Sequence, residues 1–119
     1  MSVPLYQAKA EFFKTLGHPI RIRILELLCD RDHAVHELLD QIPVEPSNLS
    51  QQLAVLRKTS MVVSQRSGGE VVYSVSAPEV RDLLLAARRI LTGLIRVDTE
   101  DAGLPAFSVA QRRRAALKA

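Results

Sequence analysis

The stretch that decides the fold is SNLSQQLAVLRK, residues 47–58. Its leucines recur at i, i+4 and i+7, which predicts an amphipathic helix with one aliphatic face. These residues are Leu49, Leu53 and Leu56. Ser47 or Asn48 is expected to cap the start of the helix, because both side chains accept hydrogen bonds from free backbone N–H groups. The opposite face is polar, so the helix has one side for a core and one side for a polar partner.

The segment before this helix places it in a larger motif. A shorter helix is predicted over Ala34–Gln41, with Asp32 or His33 at its N-cap, and Ile42–Pro46 follows it. The prolines of that segment disfavour helix in the residues before them, which predicts a turn. A short helix, a tight turn and a second helix together form a helix-turn-helix.

Downstream of the helix, β-branched residues predict a two-stranded hairpin. Its strands are expected over Met61–Gln65 and Glu70–Val75, and Arg66–Gly69 between them is expected to form a glycine turn. A hairpin directly after a helix-turn-helix makes the winged variant of the motif.

Two further helices precede this motif and one follows it. The first is predicted over Leu5–Leu16, and Pro19 opens the second, which ends near Asp30. His18 is interpreted as a helix-start residue. The last helix is predicted over Glu79–Val97. The expected fold is mainly α with a β-hairpin wing, a winged helix-turn-helix in the order α-α-α-α-β-β-α.

Length and composition narrow the function further. The 119 residues suit a single domain, predicted over residues 1–97, with residues 98–119 as a basic, flexible tail. Aromatic residues make up only 4% and Trp is absent, so stacking of nucleic-acid bases on aromatic side chains is not expected. The net charge of +3 permits a polyanionic partner.

Several classes of protein are not expected. Cys29 is the only cysteine, so no disulfide framework forms within the chain, which fits a reducing compartment. The sequence shows no secretory signal and no apolar run that would span a membrane, so a cytoplasmic location without a membrane partner is expected. No nucleophile elbow, Walker loop or zinc-protease motif is present, so we do not expect an enzyme.

The polar face of the helix over residues 47–58 is the candidate surface for double-stranded DNA. In a helix-turn-helix the second helix enters the major groove, where Ser, Asn and Gln side chains both donate to and accept from base edges. Cations near the helix end suit phosphates, and an arginine at the tip of the wing can reach the minor groove or the backbone. The candidate DNA-binding residues are Ser47, Asn48, Ser50, Gln51, Gln52, Arg57, Lys58 and Arg66.

The first and last helices carry more apolar surface than a small core can cover. A helix that is apolar nearly all round must be buried on several sides, and a second copy of the chain is the covering surface we expect. The predicted dimerisation residues are Leu5, Phe12, Leu84, Ala87, Leu91 and Leu94. A two-fold dimer would place two recognition helices about 34 Å apart on a palindromic site.

Three stretches resemble the ArsR/SmtB family of bacterial repressors. Phe12–Leu25 is similar to the family's Leu-x-x-Pro-x-Arg-x-x-Ile-Leu signature, Ser47–Arg57 to its recognition helix, and Val62–Val75 to its wing. The resemblance covers residues 5–97. It implies a homodimer joined through the first and last helices, operator binding, and release by an effector.

The same resemblance bears on metal sensing. One family site uses a Cys-Val-Cys-Asp-Leu run, and the matching run here has Ala34 and His36 at the two thiolate positions. The other family site uses Asp, His, His and Glu on the last helix. This chain offers Glu79 and Asp82 there but no His, so that site is absent.

The residues themselves suggest one rearranged metal site. Cys29, His33 and His36 lie within eight residues, and a thiolate with two imidazoles suits Zn, Ni, Co or Cu. The alternative is that Cys29 is a small core residue and both histidines face solvent. Other hypotheses remain beside it: oxidation of the Cys29 thiol, an organic or anionic effector, a co-regulator protein, no effector at all, or a protein-interaction module that does not bind DNA.

Overall fold

The computed structural model describes residues 2–94. Its elements are α1 (Leu5–Leu16), α2 (Pro19–Asp30), β1 (His33–Ala34), α3 (Val35–Gln41), α4 (Pro46–Lys58), β2 (Val62–Ser67), β3 (Glu70–Val75) and α5 (Glu79–Leu94). The predicted winged helix-turn-helix is confirmed, with one short strand added. The predicted helix end at Val97 and the predicted tail over residues 98–119 lie outside the described residues.

The junction between α1 and α2 follows the sequence signals. The N–H of Gly17 donates to the carbonyl of Lys14 at 3.1 Å, which closes α1. His18 takes an extended backbone, and its Nδ1 accepts a hydrogen bond from the N–H of Ile20 at 3.2 Å. Pro19 occupies the first helical position, where its missing N–H would have had no partner within the helix. The role of His18 as a helix-start residue is confirmed.

The start of α3 differs from the prediction. His33 and Ala34 form β1, so the N-cap of α3 is Ala34 and not Asp32 or His33. β1 pairs antiparallel with β3, with His33 opposite Tyr73 and Ala34 opposite Val72. A two-residue strand is too short to produce an alternating pattern, which is why periodicity did not indicate it.

The three strands form one antiparallel sheet in the order β1-β3-β2. The turn between β2 and β3 is Gly68-Gly69, with φ values of 58° and 85°. Positive φ at both central residues is what a type I′ turn requires, and glycine takes it without a Cβ clash. The predicted hairpin is confirmed, but β2 continues to Ser67, so Arg66 belongs to the strand and not to the turn.

An aliphatic core holds this arrangement together. α2 packs against both α4 and β3 and is the central helix of the unit. The largest fully buried side chains are Ile24, Leu25, Leu38, Leu49, Leu53 and Leu56. Burial of each such side chain contributes about 1.5–3 kcal/mol before conformational entropy is subtracted. The aliphatic composition of this core agrees with the small aromatic content of the chain.

The first turn of α5 is anchored to the end of α2. Val80 is buried, and Nη2 of Arg81 donates a hydrogen bond to the carbonyl oxygen of Cys29. Residues up to Arg81 form one compact unit, and a second begins at Asp82. None of the described helices is long and apolar enough to cross a membrane.

Candidate nucleic-acid interface

Helix α4 begins at Pro46, earlier than the sequence suggested. Glu45 is the N-cap residue, with an extended backbone and no side-chain capping bond. The residue before a proline is held out of the helical region, and proline itself fits the first helical position. The expectation that Ser47 or Asn48 caps α4 is therefore wrong. Both residues lie inside the first turn, and neither serves as the N-cap.

The two faces of α4 are separated as predicted. Its leucines are buried at the core, with Leu49 and Leu56 at 0% exposure. Asn48 is half-buried. Most of the exposed positions carry hydroxyl, amide or cationic groups; Pro46 and Ala54 are the apolar exceptions. These exposed candidate residues are Ser47, Ser50, Gln51, Arg57 and Lys58.

Gln52 does not lie on the outer face. Its side chain is buried, its Oε1 accepts a hydrogen bond from Nη1 of Arg21 at 2.9 Å, and its Nε2 donates to Oδ1 of Asn48 at 3.0 Å. The prediction that Gln52 contacts DNA directly is therefore corrected. A helical wheel already contained the signal, because Gln52 is only about 60° from Leu49 at 3.6 residues per turn.

Arg21 is the residue that sequence reasoning missed. It reaches from α2 to α4, and its Nε also donates to the carbonyl of Thr15 at the end of α1 at 2.7 Å. Arg21 therefore connects three helices. The signal available was its place in the Leu-x-x-Pro-x-Arg signature, two residues after Pro19.

The wing carries its cation on a strand. Arg66 pairs with Val71 in the β2–β3 ladder, and its side chain is exposed. The prediction placed Arg66 in the turn at the tip, whereas the structure places it one pair before the turn-flanking residues. In that position it extends from a hydrogen-bonded strand whose backbone is held in register.

The cations of this surface are free of ion pairs within residues 2–94. The ion pairs there involve Arg23, Arg31 and His36, and none involves Arg57, Lys58 or Arg66. An exposed cation without a carboxylate partner is available to contact a phosphate group.

The structure does not assemble the predicted metal site. His33 is buried, with its Nδ1 2.8 Å from the carbonyl oxygen of Arg31, whereas His36 is exposed, with its Nδ1 3.1 Å from Oε1 of Glu70. Across the described part of the chain, no three His, Cys, Asp or Glu side chains lie close enough together to hold a metal ion. The expectation that both histidines face solvent is also wrong for His33.

The Cys29 thiol is partly buried, and this desolvation raises its pKa. The positive charge of Arg81 acts in the opposite direction with a smaller effect, and Glu26 adds to the rise. Since the thiolate is the reactive form, the raised pKa disfavours a redox switch at Cys29.

Helices α1 and α5 each expose apolar side chains. On α1, Leu5 is 70% exposed and Phe12 is half-buried. On α5, Leu84 and Leu91 are half-buried, whereas Ala87 and Leu94 are exposed. Further large apolar side chains are exposed on the same helices, namely Tyr6, Phe13, Leu85 and Ile90.

Known proteins are similar to this chain in sequence and in fold. The sequence model described as "Bacterial regulatory protein, arsR family" matches residues 18–63, from the end of the α1–α2 junction into β2. The uncharacterized HTH-type transcriptional regulator Rv0081 of Mycobacterium tuberculosis is 54% identical over 95 residues, which are 79% of this chain and 83% of that protein. The crystal structure of Rv0081 matches with a TM-score of 0.70 at 55% identity, over 77% of this chain and 93% of the other.

This chain belongs to the ArsR family. A further solved structure, the transcriptional repressor BigR from Xylella fastidiosa, is 32% identical and has a TM-score of 0.67 over 71% of this chain and 87% of its own. Membership of the ArsR family confirms the predicted class, a DNA-binding transcriptional regulator with a winged helix-turn-helix.

Proposed function

We propose that the protein is a homodimeric repressor that binds a palindromic operator, with α4 in the major groove and the wing beside it. The observation that carries the proposal is the outer face of α4. Ser47, Ser50 and Gln51 are exposed there for base edges, and Arg57 and Lys58 follow at the end of the helix for phosphates. Arg66 adds a cation from the wing.

The two-fold assembly is supported by the apolar side chains that α1 and α5 expose. Leu5 is 70% exposed, Phe13 54% and Ile90 61%, and large exposed apolar patches typically mark protein–protein interaction sites. A second copy of the chain would remove them from water. Two-fold symmetry then sets two α4 helices about 34 Å apart, one turn of B-DNA. Because the DNA of a bacterium lies in its cytoplasm, a bacterial repressor that binds DNA is expected there.

We propose that release from the operator depends on an effector other than a metal held by Cys29, His33 and His36. His33 is engaged with a backbone carbonyl and His36 with a carboxylate, so the three side chains do not converge. An organic or anionic ligand and a co-regulator protein are the candidate effectors.

The test begins with a pool of random double-stranded DNA. The full chain selects from the pool, and fluorescence anisotropy then measures affinity for an enriched duplex and for a scrambled duplex. A palindromic site with at least about a thousandfold preference over scrambled DNA is expected for a specific regulator. Equal affinity for both duplexes would contradict sequence-specific binding and would favour a protein-interaction module.

A further inference from the structure

A hydrogen-bonded relay runs beneath the outer face of α4. Arg21 donates through Nη1 to Oε1 of Gln52 at 2.9 Å, and Gln52 donates through Nε2 to Oδ1 of Asn48 at 3.0 Å. Arg21 is itself held by its bond from Nε to the carbonyl of Thr15 at 2.7 Å. The relay therefore leads from a fixed, half-buried cation to a residue in the first turn of the candidate recognition helix.

The chemistry of arginine sets the direction of every bond in this relay. A guanidinium group has donors only, so Gln52 can meet Arg21 only with its carbonyl oxygen. The amide NH₂ of Gln52 is then turned toward Asn48, and because that group only donates, Asn48 must accept with Oδ1. Within the relay only Oδ1 of Asn48 is used. Its Nδ2 group is therefore available to a partner on the side that faces away from Gln52. The orientation of both amides thus follows from the bonding chemistry of the arginine.

We propose that Arg21, acting through Gln52, determines the base preference of Asn48 by turning its Nδ2 donors to the major groove. This inference rests on the proposed operator binding. Guanine and thymine present keto oxygens as acceptors in the major groove. Adenine presents an amino donor beside its N7 acceptor, and cytosine presents an amino donor alone. The bidentate pair of asparagine with adenine also requires Oδ1 to face the base, whereas here Oδ1 is turned inward to Gln52. With Oδ1 turned inward, Asn48 can only donate. It therefore favours a keto base over cytosine, which offers no acceptor, and over adenine, whose amino group stays unpaired beside N7, at one position of each half-site. Arg21 and Gln52 are positioning residues.

The substitution Gln52→Glu reverses the polarity of the relay. A carboxylate still accepts from Arg21, but its second oxygen also accepts, so Asn48 must turn Nδ2 inward and Oδ1 outward. The preference at that operator position is then expected to change from a keto base to an amino base. The ratio of the two affinities is expected to change by about tenfold, the effect of one hydrogen bond gained or lost.

The experiment uses the full chain with and without the substitution. Each protein selects from a random pool of double-stranded DNA, and anisotropy then measures affinity for duplexes that carry each base pair at each position. Asn48→Asp is the second variant, because it places an acceptor outward while Gln52 still donates inward, and it needs no change in the buried relay. Gln7→Glu on α1 introduces the same charge at an exposed residue and is the matched control.

The outcomes separate the relay from the proposed function. A change from keto to amino preference at the same position in Gln52→Glu and Asn48→Asp, absent from Gln7→Glu, supports the relay. Uniform loss of affinity at all positions, which a merely structural role would give, overturns it. If the wild-type protein enriches a site and Gln52→Glu selects the same bases throughout, only the relay is wrong. If the wild-type protein enriches no sequence, operator binding is wrong and the relay inference fails with it.

Discussion

The carboxylate of Glu37 accepts a hydrogen bond from the backbone N–H of Ala34 at 2.8 Å, where β1 ends and α3 begins. A capping box has two bonds, and Ala34 has no polar side chain to make one of them. Only the bond from the backbone N–H of Ala34 to the Glu37 side chain is therefore formed. Its other oxygen lies 3.1 Å from Nη1 of Arg31. The start of the helix-turn-helix therefore depends on one charged group.

The first prediction concerns pH. The hydrogen bond from Ala34 holds the pKa of Glu37 below its ordinary value of 4.5, with Arg31 adding to this effect and desolvation opposing it. Because the folded-state pKa is lowered, the stabilisation is fully present above the unfolded-state pKa and is lost as pH falls through the folded-state pKa. We expect Glu37→Gln to lower Tm by a few degrees at pH 7 and the two proteins to converge in acid.

Circular-dichroism melting curves between pH 7 and pH 3 check this prediction. Glu26→Gln, which removes the carboxylate of an exposed ion pair with Arg23, is the control. A Tm difference between wild type and Glu37→Gln that stays constant over the whole pH range would show that the charge of Glu37 does not stabilise the junction of β1 and α3.

The second prediction concerns the core beneath α4. Leu53 is 2% exposed, so Leu53→Ala leaves a cavity and should lower the free energy of unfolding by about 2–5 kcal/mol. Val63→Ala on β2 is the comparison, because Val63 is 53% exposed and should change stability by less than about 0.5 kcal/mol. Urea titration followed by circular dichroism measures both. Similar losses for the two variants would mean that the aliphatic face of α4 is not the buried one.

The third prediction compares two glycines. Gly69 has a φ of 85°, so Gly69→Ala should destabilise the protein by about 1–2 kcal/mol although no atom obstructs the added Cβ. Gly93 lies within α5 with open space around its Cβ position, so Gly93→Ala should be neutral or stabilise by up to about 1 kcal/mol. Thermal unfolding of both variants gives the signs, and a stabilising Gly69→Ala would contradict the type I′ turn.

The fourth prediction separates base contacts from phosphate contacts. Gln51→Ala should weaken binding to the selected operator by about 1–3 kcal/mol and leave binding to scrambled DNA nearly unchanged. Lys58→Ala should weaken both alike and reduce the slope of log K against log salt by about 0.9. Anisotropy titrations at several salt concentrations distinguish the two patterns. Equal loss on both duplexes for Gln51→Ala would remove its role in reading bases.

The fifth prediction concerns self-association through α5. Leu94→Glu should shift the protein from dimer to monomer, because a carboxylate would be buried without a partner at the interface. Thr92→Glu introduces the same charge two residues away on an exposed position of the same helix and should leave the dimer intact. Sedimentation velocity at micromolar concentration measures both. An intact dimer with Leu94→Glu would exclude Leu94 from the interface.

Features with a local cause could be predicted from the sequence, whereas contacts between distant residues could not. His18 and Pro19 each suit the first positions of a helix, so the start of α2 is predictable from local sequence. The leucine spacing of α4 likewise identified its buried face. Gln52 is a residue type that suits base edges, but its position beside the leucines on the helical wheel turns it toward the core. The contact of Arg21 with Gln52 joins residues that are 31 apart in sequence, and no local pattern reports such a pairing.

The position of β3 between β1 and β2 affects how the length of the wing can change during evolution. β3 is bonded to β2 along its whole length and to β1 only at Val72 and Tyr73, in the middle of the strand, so the Gly68-Gly69 tip has no contact with β1. One residue added to each strand at the tip would lengthen the hairpin by about 3.4 Å without shifting the pairing at the base. The reach of the wing along DNA can therefore diverge among descendants of this chain while the helices that read the groove stay in place.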